Sequence, residues 1–156
     1  MGHELTTEAL VLSEALESLL AAAEAQDDIS DDDAERLYAL AYKALLANDF
    51  ETADQLLSFL QLFKPAEPRF MAAHAHALRG LGRCDQALGM RTLALMADGG
   101  NPSHLFGLGE DLIAADDRAA ARDVFQLCVE AATDPEFDRL RERAQAMVAL
   151  LKHHDH

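Results

Sequence analysis

A period of 34 residues runs through this chain and limits what it can fold into. Ala53, Ala87 and Ala121 stand 34 apart, and so do Ala41, Ala75 and Gly109. Leu37, Met71 and Leu105 repeat at the same interval, as do Ala44, Leu78 and Leu112. Asn48, Gly82 and Asp116 share one register, where a tight turn needs residues that tolerate unusual backbone angles. Pro68 and Pro102 are likewise 34 apart, each suited to the first turn of a helix. Such self-similarity marks a repeat protein, in which each unit buries its apolar face by stacking on the next.

The unit is helical. The chain holds 30 alanines and 26 leucines among its 156 residues, but only 11 valines, isoleucines and threonines together. Those numbers favour helices and nearly exclude a sheet. An apolar fraction of 50% argues against disorder. The register predicts helices over 34–47, 50–63, 68–81, 84–97, 102–115 and 118–131.

Two helices around a turn in 34 residues resemble the tetratricopeptide repeat (TPR). Its small-residue positions are Ala41/Ala53, Ala75/Ala87 and Gly109/Ala121. Its large-residue positions are met less fully. Phe50 is followed one and two repeats later by Cys84 and Arg118, and Arg91 stands where Leu57 and Phe125 suit a core. The expected fold class is therefore all-α, an α-solenoid of three tandem TPR units at 34–67, 68–101 and 102–134. An extra N-terminal helix precedes them and a C-terminal capping helix follows. Phe137, Leu140, Ala144, Met147, Leu150 and Leu151 give that last helix an apolar stripe, with Thr133 or Asp134 as its cap and Pro135 in its first turn. The TPR domain with its closing helix then spans 34–151, and 152–156 is a frayed tail.

Residues 1–33 hold a helix and an acidic linker. Leu5, Ala9, Leu12, Leu16, Leu19 and Ala23 step in fours and threes, a heptad-like seam. The seam either packs on the first repeat or forms a dimer contact through Leu5, Leu12, Leu16 and Leu19. The run Asp27, Asp28, Asp31, Asp32, Asp33 and Glu35 reads as a solvated helix start capped by Ser30 or Asp31. It lacks the glycine and closing glutamate of an EF-hand.

Thirteen Lys and Arg against 28 Asp and Glu give a net charge of −15. That field repels a phosphate backbone and an anionic bilayer, so neither nucleic acid nor a membrane surface is an expected partner. No apolar run is long enough to span a membrane, and no secretion signal is read at the N-terminus. Cys84 and Cys128 lack metal or redox spacing and read as small buried hydrophobes in a reducing cytosol.

No catalytic constellation stands out, so an enzyme is not expected, nor is a cofactor or a metal. His74 and His76 point to different faces of one helix. His74 reads as a satisfied core histidine, and His153, His154 and His156 belong to the tail. The acidic pairs Glu110/Asp111 and Asp116/Asp117 read as solvated surface.

The concave face is the candidate site. Repeat register places Tyr38, Tyr42, Leu45 and Leu46 there, then Arg69, Ala72, His76 and Arg79, then Phe106 and Ile113. Tyr38 and Tyr42 are helical neighbours and flank one pocket. The Lys, Asn and Arg of a carboxylate clamp are missing, and Glu110 opposes a terminal carboxylate. An extended apolar segment is the expected ligand, its backbone met by Arg69, His76 and Arg79.

Ile29-Ser30 with Glu35-Arg36-Leu37-Tyr38-Ala39-Leu40-Ala41-Tyr42 resembles the opening of the class II, TPR-type chaperones of bacterial type III secretion, the SycD/LcrH group. So do Asn48-Asp49-Phe50-Glu51-Thr52-Ala53, Pro68-Arg69-Phe70, Leu81-Gly82 and Asp134-Pro135-Glu136-Phe137. The resemblance covers residues 5–151. It implies a cytosolic bacterial chaperone that keeps a hydrophobic translocator soluble before export, by holding a P-x-L-x-x-P-like segment in the groove. It implies a homodimer, and aromatic pocket residues at Tyr38 and Tyr42, with Leu45 where the family often has a further aromatic. A scaffold for folded partners and a co-regulator of a transcription activator are the alternatives.

Overall fold

The computed structural model describes residues 14, 16–18, 20–21 and 28–153. Seven α-helices follow in chain order over 28–153: α1 (Asp31–Leu46), α2 (Phe50–Phe63), α3 (Pro68–Gly80), α4 (Cys84–Ala97), α5 (Pro102–Ala114), α6 (Arg118–Ala131) and α7 (Asp138–Lys152). A 3₁₀ turn, Pro135–Phe137, leads into α7. Each helix packs on the next, and α1 also meets α3, α3 meets α5, and α5 meets α7. The first helices of the repeats thus form one inner layer. Among the described residues there is no strand.

Each helix pair turns in the same way. Asn48, Gly82 and Asp116 adopt φ of 57°, 76° and 63°, the left-handed conformation that ends a helix. The amide just past each of these residues then reaches back five positions: Asp49 N donates to the Ala44 carbonyl, Arg83 N to Leu78, and Asp117 N to Leu112, all at 2.9 Å. Asp49 and Asp117 cap the second helices by accepting from Thr52 N and Ala120 N, whereas Arg83 caps nothing with its side chain. Ser30 caps α1 by accepting from Asp33 N, so α1 begins at Asp31, three residues earlier than the repeat boundary suggests.

The small-residue positions do what close approach demands. Ala41, Ala53, Ala75, Ala87 and Ala121 are fully buried. At Gly109 a Cβ would lie 2.6 Å from the Phe125 ring, so glycine alone fits there. The apolar interior falls into two clusters. One gathers Leu37, Leu45, Leu56, Leu57, Leu60 and Phe70 around repeat one. The other gathers Phe106, Phe125, Cys128, Ala144, Val148 and Leu151 around repeat three and α7.

Three sequence expectations need correction. Asp111 is not solvated surface but wholly buried, and Arg91, which looked unsuited to a core, is only 5% exposed. They are each other's reason, as shown below. The buried stripe of α7 runs through Ala144, Val148 and Leu151, and Leu150 faces out at 53% exposure. Of the proposed dimer seam, Leu5, Leu12 and Leu19 lie outside the described residues. Leu16 is helical and packs against the first core cluster.

Candidate functional site

The inner layer encloses an open groove of about 620 Å³. Eight residues expected there from repeat register do line it: Tyr38, Tyr42, Leu45, Arg69, Ala72, His76, Arg79 and Phe106. Leu46 and Ile113 do not. Leu46 sits one step round the helix in solvent, and Ile113 packs against the second core cluster.

At the repeat-one end the floor is aromatic. Tyr38 is half-buried, its ring 6.2 Å from Tyr42 and 5.1 Å from the buried Phe70. Burial raises the Tyr38 phenol above its ordinary value, so it stays neutral at physiological pH. Tyr42 is 50% exposed and offers its ring to the groove, while Leu45 closes the floor beside it. The Arg69 guanidinium lies 5.3 Å over the Tyr38 ring and forks onto Glu35, with Glu67 beside it. That fork holds the Glu35 carboxyl below its usual range. Arg69 therefore faces the groove with its charge already answered, which limits its use as a free donor to a ligand.

The middle of the groove stands on a buried ionic bridge. Arg79 Nη1 meets Asp111 Oδ1 at 2.6 Å, and Arg91 Nε donates to Asp111 Oδ2 at 2.8 Å. Arg79 also reaches Glu110 at 3.4 Å. One carboxylate thus accepts from two guanidiniums brought by α3 and α4. Gly107 makes room for it, since a Cβ there would lie 2.5 Å from the Arg91 Cζ. Buried charges survive only when paired and hydrogen-bonded, and among the described residues no buried side-chain polar atom lacks a partner. His76 stands beside this bridge, 6.0 Å from the Phe50 ring. Burial first, and Arg79 second, lower its pKa, which favours the neutral ring.

The far end comes from α5 and α7. Phe106 stacks edge-on to Phe125 at 5.1 Å, and the Arg143 guanidinium covers its ring at 4.4 Å. Leu140, Ser103, Asn101 and the pair His104–Asp98 complete the wall. Burial lowers the His104 pKa, partly offset by Asp98. Sequence reasoning missed Arg91, His104, Leu140 and Arg143 here. For the last two a signal existed, because the closing helix must cover the end of the stack and its residues three apart share a face.

His74 is buried on the opposite side of α3. Its Nε2 lies 2.6 Å from Asp54 Oδ1 and its Nδ1 3.0 Å from Gln61 Oε1. It is a satisfied core histidine, on a different face from His76. Ser58 also approaches Nε2, at 3.4 Å, so serine and carboxylate compete for one nitrogen. A catalytic relay needs them on opposite nitrogens.

No family model matches the chain. The low calcium response locus protein H of Yersinia pseudotuberculosis is 29% identical over 134 residues, spanning 81% of this chain and 76% of that protein. The type III secretion translocator chaperone SycD of Yersinia enterocolitica matches with a TM-score of 0.73 at 26% identity, over 81% of this chain and 88% of SycD. SycD in complex with a peptide of the translocator YopD gives the same score at 25% identity, over 81% of this chain and 98% of that one.

Proposed function

The chain groups by sequence and fold with the TPR-type, class II chaperones of type III secretion, and from that premise we propose that it is a bacterial cytosolic chaperone for a hydrophobic translocator. It holds an extended segment of that cargo in the concave groove and keeps it soluble until export. One observation carries the reading. The groove joins an aromatic pocket at Tyr38, Tyr42 and Leu45 to a second apolar wall at Ala72 and Phe106, while its central cations are neutralised from within. Such a surface suits an extended strand with spaced apolar anchors, and a P-x-L-x-x-P-like segment has that form.

Each anchor that leaves water contributes on the order of 1.5–3 kcal/mol before ordering costs are subtracted. Binding that shifts the cargo toward a bound, unassembled state needs no nucleotide and no catalysis. The net charge of −15 keeps the complex dispersed. Among the described residues no helix is long and apolar enough to cross a membrane. Homodimerisation through Leu5, Leu12, Leu16 and Leu19 belongs to the same proposal, with the inward packing of Leu16 serving the first repeat as well.

Purification of the chain from its source cell, followed by mass spectrometry of what comes with it, tests the reading. The expected partner is a larger protein with long apolar, insertion-prone segments, lost on Tyr42→Ala. Recovery of soluble folded proteins alone, unaffected by that change, overturns it.

A further inference from the structure

The charges along the groove can be paired off one by one. Arg69 is answered by Glu35 and Glu67, and Arg79 and Arg91 by Asp111 and Glu110. Asp98 lies against His104 and Asn101. One cation is left over. Arg143 is exposed, lines the groove, and makes no ion pair with any described residue; its one contact of note is the Phe106 ring at 4.4 Å.

The position of Arg143 is fixed from two sides. Leu140, one turn earlier on α7, anchors the helix against the second core cluster and lines the same groove. Phe106 is itself held edge-on by the buried Phe125. A guanidinium laid over an aromatic face is pre-oriented, and its N–H edges stay free to grip a carboxylate with two parallel bonds. In a chain of net charge −15, a lone groove cation is an unusual feature to leave unanswered.

We propose that Arg143 is a specificity-determining residue, receiving an aspartate or glutamate side chain of the bound segment, beyond its apolar anchors. The closing helix is then part of the binding site as well as a cover for the stack. The inference rests on the groove reading above and adds to it the chemistry of one ligand position. An acidic residue there meets Arg143, whereas the tyrosine end takes apolar side chains. Glu110 does not oppose it, because Arg79 holds that carboxylate.

Short synthetic peptides of the P-x-L-x-x-P pattern provide the test, one with neutral flanks and a set with a single aspartate at successive flanking positions. Affinities are measured by fluorescence anisotropy against the full chain. At one position aspartate is expected to tighten binding by about threefold to tenfold, an effect that fades with added salt. In Arg143→Gln the acidic and neutral peptides should bind alike, whatever their absolute affinity. In Arg143→Glu a lysine at that position should replace aspartate as the preferred residue. Circular dichroism confirms that each variant is folded. The proposal is overturned if no aspartate position matters, or if the preference survives in Arg143→Gln. Failure of every peptide to bind the unaltered chain removes the groove reading itself, and this inference with it.

Discussion

Leu57, Arg91 and Phe125 occupy the same place in three successive repeats, yet they hold the molecule together by opposite means. Leu57 sits at zero exposure among leucines, and Phe125 is equally buried against Phe106 and Cys128. Arg91 fills the equivalent site in the middle repeat and reaches forward to Asp111. The two apolar clusters are thus joined across a junction where charge replaces hydrocarbon. Helix α4 buries only Ala87, Arg91 and Ala94, the thinnest apolar face of the three second helices that pack behind the groove. An apolar site tolerates loss in proportion to the volume removed. An ionic site depends on every partner being present, because a single leftover charge in low dielectric is costly.

The largest expected effect is at the centre of that bridge. Asp111→Ala leaves two guanidiniums facing each other, and stability should fall by about 3–5 kcal/mol. Replacing the whole cluster by Arg79→Met, Arg91→Met and Asp111→Leu should recover most of that loss, since well-packed apolar groups often match a buried ionic triad. Urea unfolding followed by circular dichroism gives both numbers. If the triple variant is as unstable as Asp111→Ala, the junction depends on Asp111 for something other than charge balance, and the contrast with Leu57 fails.

Two glycines on α5 sharpen the same contrast. A Cβ at Gly109 would strike the Phe125 ring at 2.6 Å, and one at Gly107 would strike the Arg91 guanidinium at 2.5 Å. Either alanine variant is expected to cost about 1–3 kcal/mol through overpacking. Only Gly107→Ala should couple to Arg91→Met, because the shorter, uncharged side chain relieves that clash alone. Gly109→Ala and Arg91→Met should add independently. Equal coupling in both pairs would mean the two clusters are not separate.

Much of this architecture is legible in the sequence because the repeat writes it three times. Asn48, Gly82 and Asp116 marked turns that do adopt the left-handed conformation, and the helices lie within three residues of their expected limits. The inner-layer register likewise placed Tyr38, Tyr42, Ala72 and Phe106 around one cavity. What escaped were features without a repeat. Arg91 and Asp111 each break the pattern once. Read singly, one is a poor core residue and the other a surface acid. Their meaning lies in pairing 20 positions apart, which periodicity does not encode. Only Arg91 carried a signal, since Leu57 and Phe125 mark its position as core and a charge there needs a buried partner. Leu46 and Ile113 failed for the reverse reason. Register assigned them a face, but a helix face about 100° wide leaves its margins to local packing.

The groove offers a smaller effect, in affinity with little change in stability. Tyr42 is half exposed, so Tyr42→Ala should cost under about 0.5 kcal/mol in unfolding. It should weaken cargo-peptide binding roughly tenfold, the scale of a removed aromatic anchor. Leu46→Ala, at 73% exposure and outside the groove, should change neither. Isothermal titration on the three proteins separates the cases. Equal losses from Tyr42→Ala and Leu46→Ala would shift the binding face away from the cavity.

The smallest expected effect is a pH slope, and it too divides the molecule. His76 and His104 flank the ionic junction and the far wall, and burial lowers both pKa values below that of a free histidine. A lowered folded pKa means the unfolded chain binds more protons in the window between the two values. Stability should therefore fall as pH drops through the ordinary histidine range near 6.5, and level off below the folded pKa values. Glu35 acts in a separate window. Its lowered pKa contributes stability above the ordinary carboxylate range that fades only in stronger acid. The groups facing His76 are Phe50, Arg79, Arg91, Glu110 and Asp111, and those facing His104 are Asp98 and Arg91. Urea midpoints between pH 7.5 and 5, compared for the unaltered chain and His104→Gln, isolate the contribution. A shallower slope in the variant is expected. An unchanged slope would assign the acid sensitivity elsewhere and leave the far wall as indifferent to pH as the leucines of repeat one.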